Sequence, residues 1–340
     1  MVLNEKLKIC LVTAIAVSFI LSLLFSSGFL HRQSLHSSDL FYSEGKPFSE
    51  IVIIAIDDKS IQEIGRWPWN REVFANAIEK TKEAKVIGVD VSFFESASGD
   101  EKLKSSLKEN VILVSECNKF SGGQCANWLM PIFNAAIATA NIYSEDEIAR
   151  AVPFMIDGKK SFSVIIAEKY LNTELSPQNK ILINYAKADS FKTAPFSDLI
   201  NDKANISFKD KIVLIGATAK DLHDEKLTPI SSKPVPGVEI HANAIQTILQ
   251  NKSLKYQAAY SVILTILLFS LIIALMLYFF RLVYAIAALA IIPFLYLFAG
   301  MRIFVFQADN FSFNRNDFPG PDSGNRQGQR IIQITVWKVV

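Results

Sequence analysis

The chain has 340 residues, half of them hydrophobic, and a formal net charge of +2. It is too apolar for an ordinary soluble domain of that length. The near-neutral balance and the lack of any Lys/Arg-rich block exclude an electrostatic nucleic-acid binder, so no nucleic-acid partner is expected.

Residues 1–8 carry Lys6 and Lys8 and precede an uncharged run from Ile9 to Leu30. At about 22 residues the run can cross roughly 30 Å of hydrocarbon. Two readings compete, a cleaved signal peptide and an uncleaved anchor. The apolar core exceeds the usual 7–15 residues of a signal peptide, and Ser26-Ser27-Gly28 is a weak cleavage site. An uncleaved span over 9–30 is therefore expected, with residues 1–8 in the cytoplasm by the positive-inside rule. That places 31–258 outside, about 230 residues, enough for one core-forming domain.

His31 to Glu50 is polar and reads as the exit from the membrane, with a short helix over Gln33 to Tyr42. Ile51 to Ile56 is a continuous apolar, β-branched run, as in a strand buried on both faces. It stops at Asp57-Asp58. A short helical turn runs from Ser60 to Gly65, and Arg66-Trp67-Pro68-Trp69-Asn70-Arg71 follows. Asn70 is the expected N-cap of a helix with Val73, Phe74, Ala77 and Ile78 on one face. Val86 to Val91 is a second apolar strand ending near Asp90. The unit reads as strand–helix–strand with a crossover long enough for parallel pairing.

Glu101 to Asn110 reads as a short helix and Val111 to Ser115 as a third strand. Cys117 and Cys125 flank Gly122-Gly123. Outside the cytoplasm such a pair is expected to close a loop as a disulfide. Two free thiols are the next reading, and no neighbouring His or second Cys pair suggests a metal. Asn141–Tyr143 and Val152–Met155 read as short strands around an acidic turn. Ser161 to Leu171 reads as a helix, Ile181 to Tyr185 as a strand, and Phe191 to Ile200 as mixed, with Ser197 as an N-cap. Lys211 to Gly216 is another apolar strand. After a loop containing Pro229, Pro234 and Pro236, a helix from Gly237 to Leu249 leads toward the next apolar run.

Ala259 to Phe280 is uncharged, and Leu282 to Met301 is apolar again after Arg281. One helix over both would be about 65 Å long at 1.5 Å per residue. Two spans, 259–280 and 282–304, are expected instead, with a tight turn between them. The tail 305–340 is rich in Asn, Asp, Gly, Gln and Arg and has a disordered composition. The expected fold is α/β, a largely parallel central sheet flanked by helices, in a chain anchored by about three transmembrane helices.

Acidic residues at strand ends mark where open α/β sheets bind ligands. Asp57, Asp58 and Asp90 would line a cleft there or hold a cation such as calcium, and the same residue type also caps turns and helices. Trp67 and Trp69 would stack on a flat ligand or form a rigid turn packed on the sheet. Arg66 and Arg71 would pair with an anionic ligand or with the aspartates. His223 with Asp221 and Asp224, and separately His241, suggest ligation or acid–base work, although His241 beside Glu239 and Asn243 at a helix start fits packing or capping. The candidate ligand-binding set is Asp57, Asp58, Trp67, Trp69, Arg71, Asp90, His223 and Asp224. No phosphate loop, nucleophile elbow or zinc pattern is present, so no catalytic residue, metal or cofactor is expected.

Three stretches carry a family resemblance: IVIIAIDDKSIQEIGRWPWNREVFANAIEK, VIGVDVSFFE and KIVLIGATAKDLHDEKLTPISSKPVPGVEIHANAIQTIL. Together with the preceding span and following membrane hairpin, they make the chain resemble the CHASE type-two extracytoplasmic sensory domain of bacterial membrane receptors. The resemblance implies a sensor in the inner (plasma) membrane, multi-pass, with its main domain periplasmic or extracellular. Such receptors usually carry three spans after the sensor and then a cyclase or kinase output domain. This chain shows two, and nothing in 308–340 resembles a catalytic domain, so a reading frame disrupted after Gln307 and a lost output domain are expected. The implied partners are a small-molecule or protein ligand outside, the lipid bilayer, and a second copy or a full-length receptor. The competing functions are a membrane-anchored hydrolase using the carboxylates and His223, and a structural membrane protein without a ligand.

Overall fold

The computed structural model describes residues 5–29, 31–42, 44–121, 124–254, 258–280 and 291. Apart from Ile291, the span expected over 282–304 and the tail 305–340 lie outside the described residues.

Helix α1 (Glu5–Ser26) is followed by a short polar helix, α2 (His31–Asp39). Strand β1 (Ile51–Ile56) is buried along its whole length, as its unbroken apolar sequence requires. Helix α3 (Asp58–Ile64) starts on Asp57, whose Oδ1 accepts from the Ser60 amide at 2.8 Å and the Ser60 hydroxyl at 2.6 Å. Helix α4 (Arg71–Lys80) starts on Asn70, whose Oδ1 accepts from the Glu72 amide at 2.9 Å, and buries Phe74, Ala77 and Ile78. Next come β2 (Val86–Asp90), α5 (Asp100–Ser106), β3 (Val111–Ser121), β4 (Gln124–Leu129) and β5 (Ala136–Thr139). The hairpin β6 (Tyr143–Glu145) and β7 (Ile148–Pro153) turns through Asp146 and Glu147, both at positive φ. This shifts both strands from the positions expected from the sequence.

A small ribbon, β8 (Met155–Ile156) with β9 (Lys159–Lys160), leads to α6 (Phe162–Leu171), N-capped by Ser161. Then follow β10 (Lys180–Leu182), β11 (Lys192–Pro195) and α7 (Phe196–Ile200). The expected Ser197 N-cap is corrected here. The strand runs on to Pro195, which takes the cap position, and Ser197 sits buried inside α7 with its amide donating to the Ser60 hydroxyl at 3.0 Å. The rest of the domain is β12 (Ile212–Ala217), a 3-10 turn over Lys220–Leu222, β13 (Glu225–Thr228), β14 (Ser231–Pro236) and α8 (Gly237–Leu249). Helix α9 (Ala259–Phe279) completes the described chain.

The fold is α/β. The main sheet runs β11-β1-β12-β2-β3-β4, with β5 on the free side of the first half of β3. Every pair in it is parallel except β3–β4. β1 and β2 are parallel but not neighbours, because β12 lies between them, with Ile215 beside both Ile54 and Val89. Helices α4, α5 and α7 cover one face through Phe74, Ile78, Leu103, Phe196 and Leu199. Helices α6 and α8 cover the other through Phe162, Ile166, Val238, Ala242 and Ile245. At Gly88 of β2 the side chains of Phe162 and Ile166 approach so closely that a Cβ would stand 2.6 Å from each.

A second sheet, β10-β7-β13-β14 with β6 on β7, gathers the strands expected near 141–143, 152–155 and 181–185 with β13 and β14, for which the sequence predicts no strand. The Pro-rich stretch read as loop contributes β14. It tolerates Pro234 and Pro236 because it is an edge strand, paired only to β13.

Helices α1 and α9 are 22 and 21 residues long and apolar enough to cross a membrane. They pack side by side and antiparallel, the Lys6 ammonium donating to the Tyr278 carbonyl at 3.1 Å. Most of their large apolar side chains, among them Ile15, Phe19 and Leu264, stay exposed.

Candidate ligand-binding cleft

The connection after β2 runs to the face of α5, whereas the chain after β12 passes through β13 and β14 to α8 on the opposite face. Neighbouring strands whose continuations diverge in this way leave a crevice at their carboxyl ends, the usual binding position in open α/β sheets. A cavity of about 740 Å³ lies there, bounded by Ile56 at the end of β1, Asp90 at the end of β2 and Ala217 at the end of β12.

Asp90 enters the cleft as the last residue of β2. Asp224 enters just after the 3-10 turn, where His223 at φ 54° redirects the chain. Its backbone carbonyl accepts from the Gly237 amide at 2.8 Å, and its carboxylate lies against the first residue of α8: a Cβ on Gly237 would stand 2.6 Å from Oδ2. Glycine there lets helix and carboxylate approach. No described residue donates a hydrogen bond to the carboxylate of Asp90 or of Asp224.

Burial and the nearby Glu116 carboxylate push Asp90 up to about 7. Burial, then Asp90, push Asp224 up to about 6, against the opposing pull of the Lys226 ammonium. Two carboxylates sharing one half-buried cleft cannot both ionise cheaply.

Of the eight candidate residues, five line the cleft: Trp67, Arg71, Asp90, His223 and Asp224. The other three do not. Asp57 turns back to cap α3, Asp58 stands exposed in that helix's first turn, and Trp69 is buried in the core against Phe74 and Phe196. Its indole N–H donates to the Gly65 carbonyl at 2.8 Å. Trp67 packs edge-on against Trp69, with ring centroids 5.2 Å apart, and its bond to Pro68 is cis. Arg71 is already engaged: its guanidinium lies 4.5 Å from the Phe93 ring centroid, donates to the Glu95 carbonyl at 3.4 Å and stands 3.7 Å from Asp100.

Among the other residues lining the cleft, Glu116 and His241 bear on its chemistry. Glu116 accepts from the Ser92 hydroxyl at 3.1 Å. It escapes notice because β3 continues six residues past the apolar run that signals it. His241 is 1% exposed. Its Nε2 lies 3.2 Å from the Ala140 carbonyl, which can only accept, so Nε2 carries the proton and Nδ1 accepts from the Ser163 hydroxyl at 3.1 Å. Burial pulls His241 down to about 4, so it is neutral at physiological pH. A Ser–His contact can open a nucleophilic mechanism, but Ser163 is fully buried within α6 and this pair ties helices together. Cys117 and Cys125 are joined as a disulfide across the β3–β4 hairpin, and the described residues contain no cluster of His, Cys, Asp and Glu suited to a metal ion.

Neither a curated protein nor a solved structure matches the chain. A family model, the CHASE2 domain, matches residues 12–276. CHASE2 domains are sensory domains of signalling receptors. The match begins within α1, ends within α9 and takes in every strand of both sheets, so the chain belongs to the CHASE2 family.

Proposed function

We propose that this protein is the extracytoplasmic sensor module of a bacterial membrane receptor and that it binds its ligand in the cleft at the carboxyl ends of β1, β12 and β2. The observation that carries the reading is the pair Asp90 and Asp224, two carboxylates set into a cavity with no hydrogen-bond donor to either among the described residues. Half-buried carboxylates favour a partner that donates hydrogen bonds, and a ligand presenting such donors would satisfy them. Trp67, Arg71 and His223 complete the rim. In this reading α1 and α9 cross the inner membrane, their exposed apolar faces meet lipid, and Lys6 and Lys8 lie on the cytoplasmic side.

Thermal melting of the full chain in detergent micelles against a library of small polar molecules tests the reading. A ligand at a hundred times its Kd stabilises the folded state by about 2.7 kcal/mol. The shift should shrink in Asp90→Asn and Asp224→Asn and persist in Asp58→Asn. A stabilising compound indifferent to both cleft substitutions would place the binding site elsewhere.

A further inference from the structure

Both chain exits from the domain are fastened to the small sheet, β10-β7-β13-β14 with β6. On the α1 side the fastening is Arg150 of β7, 3% exposed. Its Nε and Nη2 donate to the two carboxylate oxygens of Asp39, the last residue of α2, both at 2.7 Å. Its Nη1 donates to Asp146 at 2.6 Å, and Nη2 reaches the second Asp146 oxygen at 3.3 Å. His36, also on α2, stands 3.7 Å from that carboxylate. Just beyond α2, Tyr42 packs on Tyr185 with ring centroids 6.4 Å apart, and the Gly45 amide donates to the Tyr185 carbonyl at 3.0 Å. On the α9 side, the Leu254 amide donates to the Leu182 carbonyl of β10 at 3.3 Å.

The same sheet reaches the cleft. Lys226 of β13 lines it, the next residue, Leu227, pairs with Ile148 of β7, and Ile148 is two residues from Arg150. A forked, buried guanidinium is a stiff joint, because neither carboxylate can leave without stranding a charge.

We infer that the small sheet is the lever of this molecule: the Asp39–Arg150–Asp146 cluster makes α2, and α1 behind it, follow the small sheet, so that a displacement at the cleft reaches α1 through β13 and β7. The inference rests on the sensory reading for the origin of the displacement, but the joint can be measured without ligand.

The experiment is hydrogen–deuterium exchange on the full chain in lipid nanodiscs. Asp39→Asn removes one charge at nearly constant shape, and Arg150→Lys keeps the charge but not the fork. Each should speed exchange of the α2 amides at least tenfold and leave β1 and β12 at wild-type rates. Unchanged α2 exchange in both variants overturns the joint, as does acceleration spread evenly over β1 and β12. Gly237→Ala then disturbs the cleft itself, with Asp224→Asn in its place where the alanine variant does not fold. It should alter α2 exchange at least twofold in the wild-type background and leave it unaltered in the Asp39→Asn background. No change at α2 in the wild-type background overturns the route from the cleft, while a ligand shift abolished by Asp90→Asn would still support the cleft as the binding site.

Discussion

Replacing Asp90 with Asn should stabilise this protein, and by an amount that depends on pH. Asp90 has its carboxyl raised from 3.8 to about 7 by burial and by Glu116. A carboxyl whose folded-state pKa lies above its unfolded value binds its proton more tightly when folded. Its contribution is therefore most favourable below about pH 4, declines as pH rises toward 7 and is flat beyond. At about 1.4 kcal/mol per pH unit, the folded state loses about 4 kcal/mol at pH 8, where the carboxylate stays ionised, and about 1.5 kcal/mol at pH 5, where the group takes up a proton on folding. Asparagine has nearly the same shape and no charge, so those figures are its expected gains. In a domain of this size each kcal/mol moves Tm by about 2–4 °C, which makes the gain on the order of 10 °C at pH 8 and about 4 °C at pH 5. Asp224, raised in part by Asp90, is relieved as well, which adds to the gain on the alkaline side. Melting curves of the full chain in micelles between pH 4.5 and 8.5, followed by tryptophan fluorescence, provide the assay. An equal gain at pH 5 and pH 8 would refute the electrostatic argument. A lower Tm at pH 8 would show that the carboxylate has a partner in the folded state.

Gly88→Ala should destabilise the domain by about 1–3 kcal/mol, the usual cost of overpacking a core, because its Cβ would meet Phe162 and Ile166 at 2.6 Å and Leu214 at 3.0 Å; denaturant melts measure this, and a neutral result would mean that α6 slides aside freely. Asp57→Ala removes the cap of α3 and should cost about 1 kcal/mol, with no effect on any ligand-induced shift in Tm, since Asp57 faces Ser60 and not the cleft.

The elements legible in the sequence are those with a strong local signal. Ile51 to Ile56 and Ile212 to Gly216 are uninterrupted apolar runs, and the Asn70 cap stands directly before an amphipathic helix. The order of strands is not local. β12 inserts between β1 and β2, although more than a hundred residues separate it from either, and the pairing of Ile54 with Ile215 leaves no periodic trace. Of the small sheet, β6, β7 and β10 are legible as short strands, but β13 and β14 are hidden for a different reason: they are mixed-polarity stretches of four and six residues, one broken by Pro234, so neither alternation nor β-branched enrichment stands out. In the cleft, Asp90 and Asp224 can be anticipated because their strands or turns end visibly. Asp57 occupies an equivalent place in sequence, yet its side chain is drawn to the amide of Ser60, a choice made by three residues of backbone rather than by the sheet edge.

The antiparallel packing of α1 against α9, fastened where Lys6 meets the Tyr278 carbonyl, brings the two ends of the domain together. A folded unit whose entry and exit coincide is topologically a cassette. It can be spliced between two segments of a host protein without forcing them apart, and hosts of quite different architecture can receive it at the cost of one short seam.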